Sequence, residues 1–250
     1  MAQPVVKWPG GKRQLLTKLK ERMPKEYGIY FEPFFGGGAL FFDICPKDAV
    51  VNDLNDQLIN VYRQLKTKPI HVMGFLEKYQ NLYNSGKTDE EKVELYYKIR
   101  DIFNSIISKR IFSPESAALL IVLNKAGFNG LYRVNKMGQY NVPSAHRKTL
   151  NCFDINNVLE VNLALERCEI RQGDFESACD DACKGDFVFF DSPYYDAFDT
   201  YQANGFSEEE HLRLFRLFKR LSERGTYCML TNSNTDFIKE IYKDYKIEIT

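Results

Sequence analysis

Short apolar blocks recur along this chain, separated by stretches in which apolar positions return every three or four residues. The blocks Ile29 to Glu32, Val50 to Asn52, Glu169 to Gln172, Phe187 to Phe190, Tyr227 to Thr231 and Lys246 to Ile249 predict strands. The helical spacing predicts helices over Arg13 to Glu21, Asp56 to Leu65, Phe175 to Cys183, Ser207 to Ser222 and Thr235 to Asp244. Strands alternating with helices imply right-handed crossovers and a mostly parallel sheet, hence an α/β fold. Between about Pro69 and Lys148 the alternation stops. That stretch reads as helices followed by a polar, turn-rich loop, with helix starts at Thr88/Glu91 and Ser113-Pro114. It predicts an inserted subdomain, 69–148, between catalytic segments 1–68 and 149–250. Ser207 with Glu210 predicts a capping box for the helix that follows residue 206.

Composition narrows the class. The 250 residues suit one large domain carrying an insert. Lysine plus arginine equals aspartate plus glutamate, 34 against 34, so any affinity for nucleic acid has to come from local basic patches. The six cysteines form no Cys-x-x-Cys pair and no zinc spacing with the three histidines, which points to free thiols, a reducing cytoplasmic setting and no metal. The first residues lack a signal-peptide core, and the longest aliphatic run, Ala117 to Leu123, is too short to span a bilayer, so no membrane is expected.

The chemistry concentrates where an apolar run meets polar residues. Phe187-Val188-Phe189-Phe190 ends in Asp191-Ser192-Pro193-Tyr194, a buried strand that delivers a carboxylate to the sheet's carboxyl edge, where open α/β sheets bind ligands. Taken alone, the four residues suit a capped turn as well as a site. Glu32-Pro33-Phe34-Phe35-Gly36-Gly37-Gly38 follows the first strand and opens a helix. Its spacing is neither the dinucleotide fingerprint nor a Walker motif. Fifteen residues beyond Gly38, Asp53 ends the next strand, a position that suits the hydroxyls of an adenine-linked ribose or, alternatively, a helix cap. In the insert, Phe128-Asn129-Gly130-Leu131-Tyr132-Arg133 precedes Lys136, Pro143, His146, Arg147 and Lys148. Basic residues interleaved with aromatics suit a nucleic-acid surface, and equally a solvated hairpin.

Asp191-Ser192-Pro193-Tyr194 resembles the Asp-Pro-Pro-Tyr signature of enzymes that methylate exocyclic amino groups in DNA. Together with Lys7-Trp8-Pro9-Gly10-Gly11-Lys12, the segment 31–39, Val51-Asn52-Asp53, and the segment 128–133 with Asn141-Val142-Pro143, it occurs in the order of the Dam-type (alpha-group, D12 class) DNA adenine N6-methyltransferases. The resemblance implies a Rossmann-like methyltransferase sheet with a mostly helical target-recognition insert. It implies transfer from S-adenosylmethionine, without a metal, to adenine in double-stranded DNA, in GATC. The sequence leaves the oligomeric state open, a monomer being the favoured expectation. Cytosine N4 or another adenine site is the alternative target, and a DNA-binding form without catalysis the alternative class.

Matched position by position, Asp191, Pro193 and Tyr194 fall in the catalytic motif. Trp8, Lys12, Gly36, Gly38, Asp53 and Asp191 fall at cofactor contacts, with Phe34, Asp174 and Phe175 around them. Lys7, Phe128, Asn129, Leu131, Arg133, Pro143 and Arg147 fall at DNA contacts. Arg133 matches the arginine that reads guanine; Phe128 and Leu131 lie where the family supports or invades the base stack. Aromatic residues Tyr195, Phe198, Tyr201 and Phe206 follow the motif and suit closure over a flipped base. Two departures stand out: Ser192 replaces the usual proline, which loosens the turn, and the family's sheet continues past the strand at 246–249 into a hairpin, leaving an exposed edge here.

Overall fold

The computed structural model describes residues 2–10, 15–195 and 206–249. Among these residues, five strands form one parallel sheet: β1 (Tyr30–Glu32), β2 (Ala49–Asp53), β3 (Cys168–Gln172), β4 (Phe187–Phe190) and β5 (Tyr227–Leu230), in the order β3-β2-β1-β4-β5. Every residue of β1 and β4 is buried, as expected of central strands covered on both faces. Because strand side chains alternate between faces, Tyr30, Val51, Phe187 and Phe189 enter one apolar core while Phe31, Val50, Val188 and Phe190 enter the other.

The first core receives α1 (Leu16–Arg22), α2 (Ala39–Ile44), α3 (Asp56–Thr67), α4 (Pro69–Asn84), α5 (Asp89–Ile107), α6 (Pro114–Ala126) and α7 (Ile155–Leu165). The second receives α8 (Glu208–Glu223) and α9 (Asp236–Ile241). Local chemistry sets the helix starts. Asn55, Asp154, Ser207 and Thr235 each accept a main-chain N–H from the first turn, and Thr88/Glu91 and Ser113/Ser116 make reciprocal capping boxes. Helix α6 is buried around most of its circumference, from Ser116 through Asn124, and packs against α3, α4 and α5. The apolar core under residues 69–126 is therefore continuous with that under the sheet.

Two expectations need correction, and one helix was unforeseen. Residues 246–249 form no strand; Ile247 and Ile249 are exposed and pair with nothing in the sheet, which ends at β5 among the described residues. The expected helix over Phe175 to Cys183 is only a 3-10 turn, Ser177–Cys179. Phe175 and Cys179 do point into the core at helical spacing, but the Asp180-Asp181 pair that follows favours turn conformations. Helix α7 was not expected, because Ile155, Leu159 and Leu163 lie on its solvent side and blur its amphipathic pattern.

Candidate active site

The strand order reverses between β1 and β4, so the loops leaving these two strands flank the crevice in which such sheets bind ligands. The loop after β1 is held from β2. Phe35 N–H donates to Asn52 O at 2.8 Å, and the buried Asn52 amide donates to Pro33 O and Gly173 O, each at 3.0 Å. Asp53 completes the clamp, accepting Gly36 N–H on Oδ2 and Asn55 N–H on Oδ1, both at 2.9 Å. The Tyr62 hydroxyl donates to Gly36 O at 2.8 Å. Burial pushes the Asp53 carboxyl upward; the N–H groups of Asn55, Gly36 and Leu54 pull it back, leaving it above the usual aspartate value.

Gly36 and Gly38 both have positive φ, 48° and 66°. A Cβ on Gly36 would lie 2.8 Å from Trp8 Cδ1, and one on Gly38 2.6 Å from Phe35 Cζ. Packing and turn geometry thus already require glycine here. Trp8 lies against Gly36 and stacks on Tyr132, ring centroids 5.6 Å apart, so it joins the glycine loop to the insert.

Asp191 leaves β4 and accepts the Thr231 hydroxyl on Oδ1 at 2.6 Å. Tyr195, four residues on, is held from the same neighbouring segment: its N–H donates to Asn232 Oδ1 at 2.9 Å and its carbonyl accepts the Ser233 hydroxyl at 2.7 Å. Pro193 and Tyr194, between these anchors, are half-buried. Ser192 is buried, and its hydroxyl has no hydrogen-bond partner among the described residues. On β1, the Tyr30 hydroxyl donates to buried Glu32 at 2.8 Å; burial first and then this carboxylate push Tyr30 well above its ordinary range.

Phe34 stacks on Phe175 at 5.1 Å, and Phe206 lies 5.8 and 5.9 Å from the two rings. The Arg213 guanidinium sits 4.6 Å over Phe175, pairs with Asp174, and reaches Glu176 at 3.0 Å. Burial raises the Asp174 carboxyl, but the Arg213 bond and main-chain donors outweigh it and hold it below the usual value. Asp174 is thus engaged with α8, while Phe34 and Phe175 form an aromatic wall beside the glycine loop.

In the insert, bridges Gly127↔Ser144 and Val134↔Tyr140 close a hairpin, with Phe128 N–H donating to Pro143 O at 2.9 Å. Arg133 is exposed and folded against Asn141, Nε to Oδ1 at 2.7 Å and Nη2 to O at 3.1 Å. Phe128 and Asn129 are exposed at the base of the hairpin; Asn129 has φ 53°. Leu131 packs on the main core, and Arg147 is exposed with its carbonyl held by the Tyr83 hydroxyl at 2.8 Å. Lys7 is tied to this hairpin through buried Asn124, which accepts Lys7 N–H at 2.7 Å and donates to Lys7 O at 2.9 Å and Gly130 O at 2.6 Å. Asn124→Ala leaves these groups unpaired and is expected to lower the unfolding free energy by about 2–4 kcal/mol, measured by urea denaturation.

Among the predicted residues, Trp8, Gly36 and Asp53 converge directly, Phe34 joins Phe175, and Lys7 joins the hairpin. Asp191 stands on the neighbouring loop. Lys12, Phe198 and Tyr201 lie outside the described residues. Asn52 stood in a motif but without a role, and the sequence did not single out Tyr62, Asn124, Thr231 or Asn232. The signal for Asn124 was a lone amide ending an aliphatic helix; for Thr231 and Asn232 it was a polar pair directly after a strand, as at Asp191.

Known proteins match this chain along its length. A family model described as D12 class N6 adenine-specific DNA methyltransferase matches residues 8–249. The Type II methyltransferase M1.LlaDCHI of Lactococcus lactis is 39% identical over 252 residues, covering 98% of this chain and 86% of that protein. The Type II methyltransferase M.MjaIII of Methanocaldococcus jannaschii is 35% identical over 262 residues, covering 98% and 90%. The DNA adenine methylase of Haemophilus influenzae is 28% identical over 252 residues, covering 98% and 85%.

Proposed function

Because the chain belongs to the D12 class of N6 adenine-specific DNA methyltransferases, we propose that it methylates the adenine of GATC in double-stranded DNA, using S-adenosylmethionine. The observation that carries this reading is the placement of two carboxylates at the carboxyl ends of the strands beside the switch point: Asp53 at the end of β2, holding the glycine loop, and Asp191 just beyond β4.

The donor set fits the cofactor. A carboxylate fixed by two N–H groups retains lone pairs for ribose hydroxyls, and half-buried Phe34, backed by buried Phe175, would offer an aromatic surface to a purine. Trp8, Gly36 and Gly38 would complete its surroundings; Lys12, which the family resemblance assigns to the cofactor, lies outside the described residues. When bound, S-adenosylmethionine supplies a methyl group already activated by its sulfonium, so the transfer requires no metal. Asp191 accepts a hydrogen bond from the adenine amino group, with the main-chain carbonyl beside Pro193 accepting the second. Both localise the nitrogen lone pair that the ring otherwise delocalises. Tyr194 stacks on the base, which has left the helix at a cost of a few kcal/mol.

Residues 69–148 act as the target-recognition part and 1–68 with 149–250 as the methyltransferase part. Phe128, Asn129 and Leu131 support the opened duplex, while Lys7, Pro143 and Arg147 line its backbone. Arg133 reads guanine through its forked donors. Arg133→Ala is expected to reduce discrimination between GATC and duplexes altered at the guanine by about 1–3 kcal/mol, read from competing methylation rates. The form we propose is a monomer acting in the cytoplasm. No helix among the described residues is long and apolar enough to cross a membrane. The test is methyl transfer from labelled S-adenosylmethionine to a set of duplexes altered at each position of GATC. Label confined to the intact site supports the assignment. Equal label on a duplex lacking GATC refutes the target, and no transfer from this donor refutes the cofactor.

A further inference from the structure

A carboxylate that serves as a hydrogen-bond acceptor has to hold its plane, and a loop residue beyond the last strand pairing has no ladder to hold it. Asp191 is such a residue: the β4–β5 register ends at Phe190↔Leu230, and the last main-chain link is Thr231 N–H to Phe190 O at 3.0 Å. The next residue on each strand brings the Thr231 hydroxyl onto Asp191 Oδ1 at 2.6 Å, the length of a hydrogen bond to an ionised carboxylate. The two residues that follow, Asn232 and Ser233, hold Tyr195 at both its N–H and its carbonyl. Asp191 and Tyr195, which bracket Ser192, Pro193 and Tyr194, are therefore both anchored to one tripeptide of the adjacent strand end.

We infer that Thr231 is a positioning residue for the methyl-transfer reaction, fixing the Asp191 carboxylate through its hydroxyl, with Asn232 and Ser233 holding the far end of the same loop. The inference rests on the catalytic assignment of Asp191 made above. A hydroxyl with no such role would satisfy itself equally well on a main-chain carbonyl; here it meets the one carboxylate assigned to the chemistry.

The test compares Thr231→Val, which keeps the shape and removes the donor, with Thr231→Ser, which restores the donor, and with Asp191→Ala. Single-turnover methylation of a GATC duplex is measured with each, along with affinity for DNA and for S-adenosylhomocysteine and the midpoint of thermal unfolding. Thr231→Val is expected to lower the single-turnover rate about 10- to 100-fold at unchanged affinities and melting midpoint, and Thr231→Ser to recover the rate to within about threefold. A wild-type rate in Thr231→Val, or an equal loss in both threonine variants, overturns the inference while Asp191→Ala remains inactive. A wild-type rate in Asp191→Ala removes the catalytic assignment itself, and the role of Thr231 with it.

Discussion

Replacing Asp191 with alanine is expected to lower the single-turnover methylation rate by at least about 10²–10³-fold while leaving duplex affinity within about threefold of the native protein. The size follows from the task. An exocyclic amino nitrogen is a weak nucleophile because its lone pair is shared with the ring, and an acceptor aimed at its hydrogens stabilises the charge that develops as the methyl group arrives. Such an interaction matters more in the transition state than in the bound complex, so its removal falls on the rate and not on binding. Asp191 is not part of the fold's main support: its neighbours Phe187 to Phe190 carry the packing and the main-chain pairing with β1 and β5. Rapid-quench kinetics with DNA-binding titrations check both halves. Loss of duplex binding in step with the rate would place Asp191 in DNA recognition instead.

The second large effect is expected at Asp53. Asp53→Ala removes the acceptor proposed for the cofactor hydroxyls and frees the Gly36 and Asn55 N–H groups, loosening the glycine loop. Affinity for S-adenosylhomocysteine is expected to fall about 100-fold, as for loss of hydrogen bonds to a charged group. Asp53→Asn fares little better, since its amide nitrogen has to face one of those two N–H donors. The pH dependence has a definite sign. Burial raises the Asp53 carboxyl above the usual aspartate value, and hydroxyl donors favour the ionised form. Ligand binding therefore releases protons on acidification, and affinity falls as pH drops through a range that starts above the ordinary aspartate titration. Titration calorimetry at several pH values between about 4 and 7 measures this. Affinity that rises on acidification would contradict the role.

Much of the site was legible because its signals are local. The apolar run of β4 closed by Asp191, the glycine turn after β1, and the caps at Thr88 and Ser113 each depend on residues a few positions apart, and each stands where the sequence put it. What was not legible depends on partners distant in the chain. Thr231 meets Asp191 only because β4 and β5 pair in one particular register, and Asn124 joins Lys7 to Gly130 only because α6 runs through the core. Periodicity also misleads in both directions. The alternation of Lys246 to Ile249 matches a strand, yet Ile249 is 72% exposed, since alternation without an adjacent strand buries nothing. Helix α7 was hidden by an exposed apolar side on which Leu163 is 63% accessible.

The identity of the methylated base decides whether Asp191 serves the amino group of adenine. The protein is incubated with isotopically labelled S-adenosylmethionine and a GATC duplex, the DNA is digested to nucleosides, and the products are separated by mass. Label is expected in N6-methyldeoxyadenosine, and none when Asp191→Ala replaces the native chain. Label in N4-methyldeoxycytidine, or in N6-methyldeoxyadenosine at the native level with Asp191→Ala, would contradict that role.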